Sequence, residues 1–174
     1  MRIVAALFAL MALAPAAFGD AFISTKYGFS AEFPAAPSVG EPQGAETDNA
    51  GKFISHSVMI QDATQGVYTA LVTIDSYDVA IKIDAAATLQ AMAKGFVAQL
   101  DARMKSNKPG KLEGKPARFF SYDSADNSVA GSGMIVLVPS KKPRIYLVVG
   151  NFTPQATEAD KAALDKFVKS FQLE

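Results

Sequence analysis

The sequence has no cysteine and a single histidine, His56, among its 174 residues. The first lack excludes disulfides, thiolate catalysis and any cysteine-held metal. The second removes most zinc, haem and catalytic-triad chemistry, which draws on several histidines or on one placed beside a nucleophile. Charged residues are modest in number, 20% of the chain, and their signs cancel overall. No apolar run reaches the roughly 20 residues that a membrane-spanning helix needs. The longest, Ile3 to Leu13, is followed closely by the helix-breaking Pro15.

What is present at the N-terminus has the order of a secretory signal. Arg2 supplies a positive charge, Ile3 to Leu13 the apolar core, and Ala16, Ala17 and Gly19 the small residues before a cleavage point. Cleavage behind Gly19 places Ala17 and Gly19 at the small-residue positions; cleavage behind Ala21 places Gly19 and Ala21 there. The first is preferred, which makes residues 1–19 a discarded signal and residues 20–174 a single exported domain, periplasmic or secreted. No cysteine follows the apolar run, so lipid attachment through a thioether is excluded. The mature form is expected to be soluble, with no transmembrane segment.

The remaining stretch of about 155 residues is the size of one ordinary domain. Its charge is unevenly spread. Asp20 to Ala102 holds 4 basic and 10 acidic residues, Arg103 to Arg144 holds 9 and 3, and Ile145 to Glu174 holds 3 and 4. A net of +6 in the middle segment is enough to make one face electropositive if folding keeps those residues together.

Period-2 and period-3.6 patterns divide the chain into elements. Tyr27 to Pro34 alternates and is stopped by proline, a short first strand. Ala35 to Gly51, rich in Pro, Gly, Asn, Asp and Glu, reads as an exposed loop. Phe53 to Gln61 and Val67 to Asp75 are β-type runs joined by a hairpin connection, Asp62 to Gly66. Asp84 is a fitting N-cap for a helix reaching about Ser106, striped by Leu89, Met92, Ala93, Phe96, Val97, Leu100 and Met104, with Asn107-Lys108-Pro109-Gly110 as its stop. Three strands follow at Ala117 to Tyr122, Gly133 to Val138 and Ile145 to Phe152. Thr157 and Asp160 form a capping-box pair opening a last helix whose apolar side is Ala163, Leu164, Phe167, Val168 and Phe171. Strands linked by short turns imply antiparallel pairing, and the two amphipathic helices cover the sheet. The fold class is therefore α+β.

Several local sequences resemble the PsbP/Mog-type family. Tyr27-Gly28-Phe29-Ser30-Ala31-Glu32-Phe33-Pro34, with Pro37 after it, is similar to that family's opening strand and proline stop. Gly114-Lys115-Pro116-Ala117 resembles its Gly-x-Pro-Ala turn, Ile145-Tyr146-Leu147-Val148-Val149 its hydrophobic late strand, and Ser170-Phe171 its closing pair. The resemblance runs through the whole mature chain. It implies an antiparallel β-sheet flanked by helices, an α/β/α sandwich. Members include an extrinsic subunit of the photosynthetic oxygen-evolving complex, a nuclear protein that binds a small GTPase, and DcrB-type bacterial envelope proteins. Their shared property is binding to larger partners, and the family supplies no catalytic motif to carry over.

Candidate chemistry is thin. His56 lies between Ser55 and Ser57 in a strand, but alternation turns both serines to the other face. Gly131-Ser132-Gly133 lacks the nucleophile-elbow geometry. Asp75, Asp78 and Asp84 gather near a strand-to-helix connection, and Asp123 and Asp126 share a turn. Neither set has calcium-loop spacing. Asn151-Phe152-Thr153 fits a glycosylation triplet but falls at a strand end and is read as chance.

The basic segment stands out. Arg103, Lys105, Lys108, Lys111, Lys115 and Arg118 run from the first helix into the next strand, and Lys141, Lys142 and Arg144 crowd a turn. Converging, they would attract an anionic envelope component or an acidic protein. Nucleic acid is not expected, because aromatics are not interleaved among them. The chain is thus expected to be a non-enzymatic binding or accessory module, without cofactor or metal. The competing expectation is a carrier with an apolar pocket, for which the twelve phenylalanines provide material. A hydrolase built on His56 is a third reading.

Overall fold

The structure is a computed structural model that describes residues 21–47, 51–61, 66–77 and 83–174. The signal segment, the connection 62–65 and Asp78 lie outside the described residues.

In chain order the elements are β1 (Phe22–Ser24), β2 (Phe29–Ala31), β3 (Ser38–Val39), β4 (Gln43–Thr47), β5 (Gly51–Gln61), β6 (Tyr68–Tyr77), α1 (Ala85–Gln99), β7 (Ala102–Leu112), β8 (Lys115–Ser124), β9 (Ala130–Val138), β10 (Arg144–Phe152), α2 (Glu158–Ser170) and β11 (Gln172–Leu173). The main sheet has eight strands in the order β3-β5-β6-β10-β9-β8-β7, with β4 also pairing to β5. A small sheet, β1-β2-β11, stands apart from it. Every pairing is antiparallel.

Strand β10 sits between β6 and β9 and is apolar on both sides, which explains its near-continuous hydrophobic run. Ile145 and Val149 face α1, joining Leu89, Ala93, Val97, Phe120, Tyr122, Ile135 and Leu137 in one core. Tyr146 and Val148 point the other way, into a second core. There Leu164, Phe167 and Val168 of α2 and Phe29 of the small sheet meet Val72, Ile74 and Val136. The architecture is thus the α/β/α sandwich expected, with α2 and the small sheet sharing one layer. Phe29, Phe167 and Phe171 are fully buried there, each contributing about 1.5–3 kcal/mol by leaving water.

Both helix starts agree with the sequence. Asp84 Oδ1 accepts from the Ala87 amide at 3.1 Å, and Thr157 and Asp160 complete a reciprocal capping box. The end of the first helix does not agree. It stops at Gln99, Asp101 turns the chain at φ 49°, and β7 begins at Ala102. Met104 fits both periods: four residues after Leu100 it continues a helical stripe, and two after Ala102 it continues a strand's inner row. Packing of both Ala102 and Met104 against the α1 core selects the strand. Asn107-Lys108-Pro109-Gly110, expected to end the helix, lies within β7. Pro109 is tolerated because β7 is an edge strand.

Three further readings change. The strand read over Tyr27 to Pro34 is only β2; Tyr27 and Gly28 belong to a turn in which the Gly28 amide donates to the Ser24 carbonyl at 2.7 Å, and β1, before that turn, was not expected. The segment read as a loop, Ala35 to Gly51, carries β3 and β4. Their sequences have no strand pattern; β5 supplies the hydrogen-bonding edge that organises them. The pair β11, after the last helix, was not expected, and it closes the small sheet against β2.

Candidate anion-binding cleft

The β7–β8 hairpin turns on Glu113 and Gly114, both at positive φ (49° and 78°), the two-residue arrangement whose twist suits paired strands. This turn sets Lys115 at the start of β8, opposite Val138 at the end of β9 through Ala117↔Val136. Across β9 the register pairs Val138 with Arg144. Lys115 and Arg144 are thereby brought to the same end of the sheet from segments 29 positions apart in sequence.

That end forms a cleft of about 450 Å³ lined by Gly28, Lys115, Val138, Ser140, Lys142, Arg144, Tyr146, Leu173 and Glu174. Its floor is built on hydrogen bonds to the Tyr27 carbonyl. The Tyr146 hydroxyl donates to the Tyr27 carbonyl at 2.7 Å, and Arg144 Nη1 donates to the same oxygen at 3.4 Å. Gly28 sits at φ 70°, and a Cβ there would lie 3.3 Å from Arg144 Nη1 and 3.5 Å from the Tyr146 hydroxyl. Only glycine combines that backbone conformation with so close an approach. One wall is the C-terminal segment, tied down by the Glu174 amide to the Gly28 carbonyl and by the Leu173 amide to Glu113 Oε1, both at 3.2 Å. The Ser140 hydroxyl is engaged in its own turn, donating to the Lys142 carbonyl and accepting from the Lys142 amide.

Of the nine basic residues singled out in the sequence, Lys115, Lys142 and Arg144 reach the cleft. Lys141 is exposed in the same β9–β10 turn. Arg103, Lys105, Lys108 and Lys111 lie instead along the β7 edge, with Arg118 on β8 opposite Pro109, and strand alternation divides them between the two faces of the sheet. Lys105 sits at a bulge and pairs with Asp123 at 2.8 Å, so it supports that edge and not a helix terminus. Arg118 is held by the side chain of Asn107. Gly28, Tyr146, Leu173 and Glu174 were not expected in a site. Their contribution depends on long-range packing, and no local pattern marks it.

The other polar candidates resolve into structural roles. His56 packs against Tyr27 with the rings tilted by 44° and their centroids 4.9 Å apart, and its Nδ1 is buried without a hydrogen-bond partner among the described residues. Ser55 lies on the opposite face, bonded to Asp75, whose carboxyl is pushed above its usual range by burial and partly restored by that bond. Burial, and then the Asp75 charge, push the Tyr77 hydroxyl up. Asp126 is held down to about 2 by hydrogen bonds from Ser124 and Ser128 in its turn. Asp123 belongs to β8 and pairs with Lys105. Asn151 accepts a hydrogen bond from the Tyr122 hydroxyl within β10. Gly131-Ser132-Gly133 is ladder-paired inside β9 and forms no elbow. Among the described residues no three acidic or histidine side chains gather as a metal would require, and no helix is long and apolar enough to cross a membrane.

An antiparallel sheet between α1 on one side and α2 with a three-stranded sheet on the other defines the PsbP-type fold, and the resemblance read from the sequence holds at that level. By sequence, no family model and no curated protein matches the chain. By structure it is similar to cyanobacterial PsbP (CyanoP) from Synechocystis sp. PCC 6803, with a TM-score of 0.52 and 13% identity over 89% of this chain and 92% of that one. It is also similar to LpqN, involved in cell envelope biogenesis of Mycobacterium tuberculosis, with a TM-score of 0.56 and 14% identity over 88% and 89%.

Proposed function

We propose that the chain is an exported, non-catalytic accessory module of the cell envelope that docks an anionic envelope component through its basic end. The meeting of Lys115, Lys142 and Arg144 in one cleft carries this reading. Like charges brought together at a concave surface raise the local potential and attract anions over a distance set by ionic strength. The signal-like N-terminus supports export. The fold shared with LpqN, a protein involved in cell envelope biogenesis, supports the envelope setting. The non-catalytic part rests on the sequence, which pairs its one histidine with no nucleophile and no elbow.

Export is tested by the mass of the form released from the cell, which should begin at Asp20. Docking is tested with purified residues 20–174 by sedimentation with phosphatidylglycerol or phosphatidylcholine vesicles at low and high salt. The expected result is binding to the anionic vesicles alone, weakened by salt. Failure to bind them at low salt overturns the docking reading. A melting temperature that rises with hydrophobic metabolites and not with anions would replace it by the carrier.

A further inference from the structure

A cleft of about 450 Å³ falls within the roughly 300–1,000 Å³ of small-molecule sites and is too small for a protein segment of any length. Its cationic groups differ in kind. The Lys115 side chain makes no ion pair or hydrogen bond among the described residues, so its ammonium is available as a point charge. Arg144 is oriented by its Nη1 bond to the Tyr27 carbonyl, and the rest of its planar fork stays available. Such a pair, one ammonium and one guanidinium tethered by a single hydrogen bond, suits a compact oxyanion carrying more than one charge. Val138 and Leu173, both half-buried, give the same cleft an apolar wall.

From this arrangement we infer that the cleft is a binding site for a small phosphate monoester, its dianionic head held by Lys115 and Arg144 and its organic part lying on Val138 and Leu173. The inference rests on the basic end being the docking surface and names the chemical group received there. Glu174 on the facing wall opposes the ligand's charge. Removing that carboxylate tightens a genuine phosphate site, and removing a lysine elsewhere on the edge leaves it alone.

The probe is glycerol 3-phosphate, titrated into residues 20–174 and followed by amide chemical shifts. Saturable shifts are expected at Gly28, Lys115 and Arg144. Lys115→Gln and Arg144→Gln should each weaken binding about tenfold, the loss of one charge-assisted contact. Glu174→Gln should tighten it about threefold. Lys111→Gln, on the other face of the β7 edge, should leave it unchanged. Because Arg144 also holds the Tyr27 turn, thermal melting of each variant accompanies the titration, and Lys115→Gln, which breaks no contact, must melt as the parent does. A second arm uses phosphatidic acid vesicles. Binding to vesicles alone, lost in Lys115→Gln and Arg144→Gln, supports the phosphate site with a lipid headgroup as its source. Glycerol 3-phosphate shifts that are absent or scattered, with vesicle binding untouched by both cleft variants, overturn the site while leaving the docking reading standing. Absence of binding to either anion overturns both.

Discussion

Replacing Gly28 by alanine strains a turn and crowds the cleft floor in one step. The backbone there is left-handed, at φ 70°, which costs an L-residue about 1–2 kcal/mol. The new Cβ would lie 3.3 Å from Arg144 Nη1. The guanidinium is the far end of a flexible chain and can retreat, but doing so abandons its 3.4 Å bond to the Tyr27 carbonyl, worth about 0.5–1.5 kcal/mol. The expected cost is about 1.5–3.5 kcal/mol, a fall in melting temperature of about 3–14 °C for a domain of this size. Gly114→Ala provides the comparison, since Gly114 is also left-handed, at φ 78°, but a Cβ there meets nothing within 4 Å. It should lose only the backbone part, about 1–2 kcal/mol. Urea unfolding of both variants, with slopes checked for constancy, measures the difference. Equal losses at the two positions, within the roughly 0.5 kcal/mol resolution of such comparisons, would refute the argument that Arg144 is held against Gly28. The same Gly28→Ala variant should bind glycerol 3-phosphate less well, because the displaced guanidinium is the oriented half of the site.

Tyr146→Phe removes the hydroxyl that donates to the Tyr27 carbonyl at 2.7 Å, and should lower stability by about 1–2 kcal/mol in urea titrations. Thr157→Ala takes away half of the capping box and should cost about 1 kcal/mol, seen as a lower unfolding midpoint with an unchanged slope. Asp75 gives a pH prediction. Burial raises its folded value above the ordinary 3.8, so the folded chain holds this proton more tightly than the unfolded one. The stability it contributes is full below the unfolded value and is lost as pH rises through the folded one. Asp75→Asn should therefore be more stable than the parent at neutral pH, with that advantage shrinking as pH falls below the folded value of Asp75; a variant less stable at neutral pH would contradict the burial argument.

The strand-turn-strand rhythm from Lys115 to Phe152 was legible because alternation and turn residues are local, and the register merely joins what each run already favours. Both helix starts were legible for the same reason, since a cap is made by residues three positions apart. The end of α1 was not, because Met104 satisfies two periods and only contact with the α1 core distinguishes them. Nor were β3, β4 and β11, two to five residues long, whose hydrogen bonds come from neighbours far along the chain.

By itself, then, the sequence determined the fold class, the helix caps and the concentration of positive charge between Arg103 and Arg144. It had no means of determining which of those charges meet. Alternation along β7 sends Lys108 and Lys111 to opposite faces, while the β8–β9–β10 register carries Lys115 and Arg144 to one end of the sheet beside Glu174. Local patterns are written by neighbours within a turn or two, whereas a cleft is written by registers and crossings that bring distant residues together. That is the physical reason the composition of the site was visible and its shape was not.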